Sequence, residues 1–155
     1  MSITRSAAAL LHVALQDLHA GKSAQSKRLP GLAERCTDTG LVALVAAEAD
    51  HATRQAGDIA AVTDVDGPEN LWMAGILDDA ERDTHQTQPG RLLDVALIGA
   101  IRKAKAAEIV SSETAMALAR ELDVGDALAV AEANRAAEIA TDRALKDRLM
   151  HIVSG

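Results

Sequence analysis

The stretch VAAEADHATRQ, residues 45 to 55, decides how the chain is read. It looks like the buried side of a helix, yet it carries Glu48 and His51 three positions apart. Residues at that spacing share one helical face. On an inward face, Glu-x-x-His is the half-site of a carboxylate-bridged di-metal centre, completed by carboxylates from neighbouring helices. Surface pairs of the same kind are common, so the meaning depends on which face holds the pair and on what the other helices bring to it.

Four long helical segments and one short one surround this stretch. The first spans about residues 4 to 36, with Pro30 bending it or breaking its last turn. Thr37 to Gly40 forms a turn in which Asp38 or Thr39 caps a second helix over about 38 to 62. TDVDGPEN, residues 63 to 70, is a loop. A short helix over about 71 to 84 follows, then QTQPG, then a long helix over about 91 to 122. Asp123 is placed to cap the last helix, about 124 to 153, with Asp126 three residues on. No strand-like alternation competes, so residues 1 to 155 read as a single all-α domain.

The apolar stripes repeat in steps of three and four, the pattern of helices packed around a shared axis. Each is interrupted near its middle. The first runs Leu11, Leu15, Leu18, Lys22, Gln25, Leu29 and Leu32; the second runs Leu41, Leu44, Glu48, His51, Gln55 and Val62. The later pair reads Leu97, Ile101, Lys105, Glu108 and Ser112, then Ala131, Asn134, Glu138, Thr141, Leu145, Leu149 and Ile152. Four helices thus bring polar groups to comparable depth. Isolated buried charges are costly, so they must be paired or must hold an ion.

Composition narrows the function. There is no Phe or Tyr and one Trp, Trp72, so the core is built from Leu, Ile, Val, Met and Ala, and small side chains let helices approach closely. Trp72 is expected to pack the short helix onto the bundle or onto a second subunit. A net charge of −7 argues against non-specific nucleic-acid binding. No apolar run approaches the roughly 20 residues of a membrane span, and Gln16, Asp17 and His19 follow the N-terminal apolar stretch too closely for a signal peptide. The single Cys36 cannot form an intramolecular disulfide and fits a reducing cytoplasm. Walker loops, dinucleotide turns and nucleophile elbows are missing from the sequence. His12, His19 and His85 are expected to be satisfied or solvated.

Taken in order, DLHAGKSAQSKRLP (17 to 30), LVALVAAEADHATRQ (41 to 55), WMAGILDDA (72 to 80), ALIGAIRKAKAAEIVSSET (96 to 114) and AEANRAAEIATDRAL (131 to 145) resemble the YciE/YciF-like branch of the ferritin-like superfamily, bacterial stress-associated proteins. The match runs over nearly the whole chain. It implies a ferritin-like antiparallel four-helix bundle with a short extra helix in the crossover, commonly dimeric, and a di-metal site. Carried over by position, Glu48 falls where the family has His and His51 where it has Glu. Glu108, Glu138 and Asp142 match acidic positions. Lys22 and Lys105, however, stand where bridging carboxylates are expected, and Ala106 and Ala107 replace a His and a Tyr.

An ammonium group offers only donors and repels a cation. Lys22 and Lys105 against Glu48, Glu108 and Glu138 leave one negative charge, which a protonated His51 would balance. The expectation is therefore a degenerate site: a buried network of Lys22, Gln25, Glu48, His51, Lys105, Glu108 and Glu138 in place of metal ions, in a protein that is not an enzyme and needs no cofactor. The alternative is a metal-binding protein or oxidoreductase keeping one Fe or Mn ion at Glu48, His51, Glu108 and Glu138, with His19 or Asp142 as a further ligand. A third possibility is that the polar core has become a small-ligand pocket.

Overall fold

A computed structural model describes residues 3–155. Among these residues five helices and no strands are found: α1 Ala7–Ala33, α2 Thr39–Ala60, α3 Leu71–Gln86, α4 Arg91–Glu121 and α5 Gly125–Ser154. The sequence-derived boundaries fall within three residues of these. Helices α1, α2, α4 and α5 form the bundle, with α1 beside α2 and α4, and α5 beside α4 and α2. One apolar cluster joins the start of α1, the end of α2, the end of α4 and the start of α5 through Leu15, Ile59, Ala119 and Ala127. The opposite cluster joins Leu29, Leu41, Leu97 and Ile152. It follows that α2 and α4 run in the same direction, opposite to α1 and α5, and that the connection between α2 and α4 must travel the length of the bundle.

That crossover carries α3, held against α1 and α4. Asn70 caps α3 by accepting from the Met73 backbone N–H at 2.9 Å, and its own amide donates to the Asp17 carbonyl at 2.9 Å. Trp72 donates its indole N–H to the Asp17 carboxylate at 2.9 Å, so it packs the short helix onto the bundle. Gly21 makes the docking possible. A Cβ there would lie 2.8 Å from the Asn70 amide nitrogen.

The helix ends show where local reading succeeds and where distance defeats it. Asp38 caps α2 by accepting from Leu41 N–H, and a pair with Arg148 of α5 pulls its carboxyl down to about 2. Asp94, buried in α4, accepts from the Thr37 backbone N–H, the Thr37 hydroxyl and the Asp38 N–H, all within 2.8–2.9 Å. Pro30 lies within α1, which ends one turn later at Ala33. Asp123 is a correction: it does not cap α5. It takes a left-handed conformation, φ 56°, and closes α4, with Val124 N–H donating to the Ala119 carbonyl and Asp123 N–H to that of Arg120. The α5 N-terminus has no side-chain cap. Gly90 precedes α4 at φ 108°, a conformation that favours glycine.

Candidate functional site

Between the two apolar clusters lies a layer of polar side chains. Lys22 and Gln25 descend from α1, Glu48 and Gln55 from α2, Lys105, Glu108 and Ser112 from α4, and Asn134 and Glu138 from α5. All nine are buried. Each occupies the position at which its helix's Leu/Ile/Val/Ala stripe is interrupted, so the helical period that builds the core also aims these groups at one another.

Two ammonium groups organise the layer. Lys105 Nζ lies 2.5 Å from Glu48 Oε1, 3.0 Å from Glu108 Oε1 and 2.8 Å from Glu138 Oε2, and donates to Gln25 Oε1 at 2.9 Å. Lys22 Nζ lies 2.5 Å from Glu138 Oε1 and also pairs with Glu108 Oε2. Gln25 returns its amide N–H to Glu108 at 3.0 Å, Gln55 donates to Glu138 at 2.9 Å, and the Thr141 hydroxyl donates to Glu48 at 3.0 Å. Glu108 and Glu138 thus each bridge both lysines, a disposition that two cations between carboxylates would also require.

The electrostatics follow from burial and proximity. Burial works against the Lys105 ammonium, but Glu108, Glu138 and Glu48 outweigh it and hold its pKa above the ordinary lysine value. Burial likewise opposes ionisation of Glu138, yet Lys105 and Lys22 draw its carboxyl down to about 2. Both groups are therefore charged at neutral pH. The layer holds two ammonium groups and three carboxylates, leaving one negative charge.

Six of the seven network residues read from sequence converge: Lys22, Gln25, Glu48, Lys105, Glu108 and Glu138. His51 is the exception. It stands at the rim, a third exposed, with Nδ1 3.8 Å from Glu48 Oε2. The stripe of α2 runs through Leu41, Val45, Glu48, Ala52, Gln55 and Ile59 instead of Leu44, His51 and Val62, which are half-buried. Ala52 takes the inward position, fully buried, and its neighbour His51 is turned toward the rim. Asp142 lies away from the centre, paired with Arg102 of α4 at 2.7 Å. His19 is half-buried near the crossover loop, His85 is exposed, and His12 meets Thr63 at 2.9 Å. Cys36 is buried, and burial with the nearby Asp94 and Asp38 pushes its thiol up to about 12.

The donor chemistry does not fit a di-metal centre. Oxygens that would ligate metal instead face the ammonium groups of Lys22 and Lys105, which offer donors only. Two buried polar atoms of the layer have no partner within the described protein, Gln55 Oε1 and Ser112 Oγ. Gln55, Ser112, Asn134 and Thr141 were visible as polar interruptions of the stripes, but nothing local marked which of them join the ion pairs.

The crossover-linked bundle of four long helices that holds this polar layer is an arrangement shared with known proteins. The chain belongs to the family described as Domain of unknown function (DUF892), whose model matches residues 6–154. The crystal structure of the E. coli stress protein YciF superposes with a TM-score of 0.93 at 22% identity, covering 97% of this chain and 99% of that one. YcfI of Rhodopseudomonas palustris superposes with a TM-score of 0.86 at 20% identity, covering 92% and 94%. At these identities the likeness establishes the fold. No curated protein sequence matches significantly.

Proposed function

We propose that this is a non-enzymatic, metal-poor stress-associated protein in which two lysine ammonium groups stand where a ferritin-like bundle would hold metal ions. The observation that carries the reading is that Lys22 and Lys105, both fully buried, between them contact all three carboxylates of the layer. Filled in this way, the layer has a structural use. Groups from all four long helices must meet within hydrogen-bonding distance, so a slip of any one helix leaves a buried charge unpaired. Networks of this kind contribute modestly to net stability but can specify register.

Absence of Tyr from the chain supports the non-enzymatic reading, because it removes the side chain that tyrosyl-radical chemistry would use. A stress role is supported by the likeness to YciF. Homodimerisation is supported by Leu10, Val13 and Val110, exposed on α1 and α4. Sedimentation should then find a dimer at micromolar concentration, and a monomer alone would end that part of the proposal. The single buried Cys36 is consistent with a reducing compartment such as the cytoplasm, and no helix among the described residues is long and apolar enough to cross a membrane.

The test is metal-dependent stabilisation. An ion that binds only the folded state raises Tm with concentration, logarithmically once it exceeds the dissociation constant. Purified protein titrated with Mn(II), or anaerobically with Fe(II), is expected to melt at an unchanged temperature. A concentration-dependent rise in Tm, lost in a Glu108→Gln variant, would overturn the proposal.

A further inference from the structure

Beside the charge layer, a groove of about 380 Å³ opens between α2 and α5. Its inner wall includes Gln55 and Asn134, 4% and 3% exposed. Gln55 gives its amide N–H to Glu138, and its carbonyl oxygen accepts from nothing in the described protein. Asn134 lines the same wall. Asp58 lines the rim, exposed. A buried carboxamide oxygen without a partner is unusual, because a buried polar group without a hydrogen bond costs free energy.

We propose that this groove binds a small organic cation, a primary ammonium carried on a short aliphatic chain. The charge requirement comes from the layer behind the groove, whose two ammonium groups and three carboxylates leave one negative charge, and from Asp58 at the rim. The donor requirement comes from Gln55 Oε1, an acceptor without a donor, while the charge requirement selects an ammonium over a neutral hydroxyl. An ammonium group supplies three donors and no acceptor. These match Gln55 Oε1, the Asn134 side-chain oxygen and the Asp58 carboxylate. His51 also lines the groove, and the rest of the wall, including Val62, Val130 and Ala133, is small and apolar and suits a few methylene groups. A volume of this size lies in the range of small-molecule sites.

The charge part of the inference rests on the metal-free reading above, so metal content is measured on the same sample. The experiment is an NMR titration of the full chain with n-butylammonium, following the side-chain amide signals of Gln55 and Asn134. n-Butanol and butyrate serve as neutral and anionic controls. Saturable shifts of both amides with butylammonium alone are expected, and Asp58→Asn, an exposed substitution that leaves the core intact, should weaken binding by about tenfold through loss of the charged acceptor. Equal responses to butanol or butyrate would overturn the proposal. So would the absence of a saturable shift, or unchanged affinity in the Asp58→Asn variant. If metal is found while butylammonium still binds, the metal-free reading fails and the groove stands.

Discussion

Substituting Lys105 by Met removes a charge while keeping most of the side-chain volume. Lys105 is fully buried, within 3.0 Å of oxygens from Glu48, Glu108 and Glu138, and donates to Gln25. Without it, Glu48 loses its ammonium partner, Lys22 remains with Glu108 and Glu138, and the excess negative charge of the layer doubles. Removing one member of a buried ion pair costs about 3–5 kcal/mol, because the partner charge is left uncompensated in a poorly solvating interior. For a chain of this size each kcal/mol moves Tm by about 2–4 °C, so a fall of roughly 6–20 °C is expected. Urea denaturation at pH 7, checked for an unchanged m-value, measures the free energy. Adding Glu48→Gln to Lys105→Met should recover part of the loss, because it removes one of the stranded charges. If Lys105→Met left both Tm and the urea midpoint unchanged, the ammonium would not be holding the layer together and the reasoning would be refuted.

Acid should weaken the same layer. Glu138 is drawn from an ordinary value of 4.5 to about 2, so its contribution is present above pH 4.5 and is lost as pH falls toward 2. Urea midpoints measured across that window should decline, and a Glu138→Gln variant should decline less. Lys105 carries the opposite sign: its raised pKa keeps its contribution present below its ordinary 10.5 and beyond, so moderate alkali should not selectively unfold the bundle. At the crossover, Gly21→Ala forces a Cβ against the Asn70 amide and should cost about 1–3 kcal/mol by overpacking, with circular dichroism still reporting a helical protein. Asp38→Ala removes both the α2 cap and the pair with Arg148, so thermal melting should show a loss larger than the roughly 1 kcal/mol of a cap alone.

Much of the centre was legible because a helical stripe is a one-dimensional record of depth. Lys22, Lys105, Glu108 and Glu138 each stand where a Leu or Ala belongs, and all four prove buried. His51 was misread because three- and four-residue steps leave the register ambiguous by a residue. Ala52 competes for the inward position and, being small, gives no signal of its own. Distance hid the rest. Asp94 serves backbone donors 56 and 57 residues away, Arg102 finds Asp142 40 residues away, and Gly21 accommodates Asn70 of the crossover. Asp123 followed a local rule, but a competing one: aspartate caps helices and also tolerates the left-handed conformation that ends them. Partner choice within the layer depended on helix adjacency, which the stripes alone do not encode.

The most direct measurement is elemental analysis by plasma mass spectrometry of untagged protein, expressed with added iron and manganese and gel-filtered without chelator. We expect less than about a tenth of a metal per chain, because Lys22 and Lys105 occupy the carboxylates that would bind it. About one or two ions per chain would contradict this, and would mean that the lysines swing aside to leave a working metal centre.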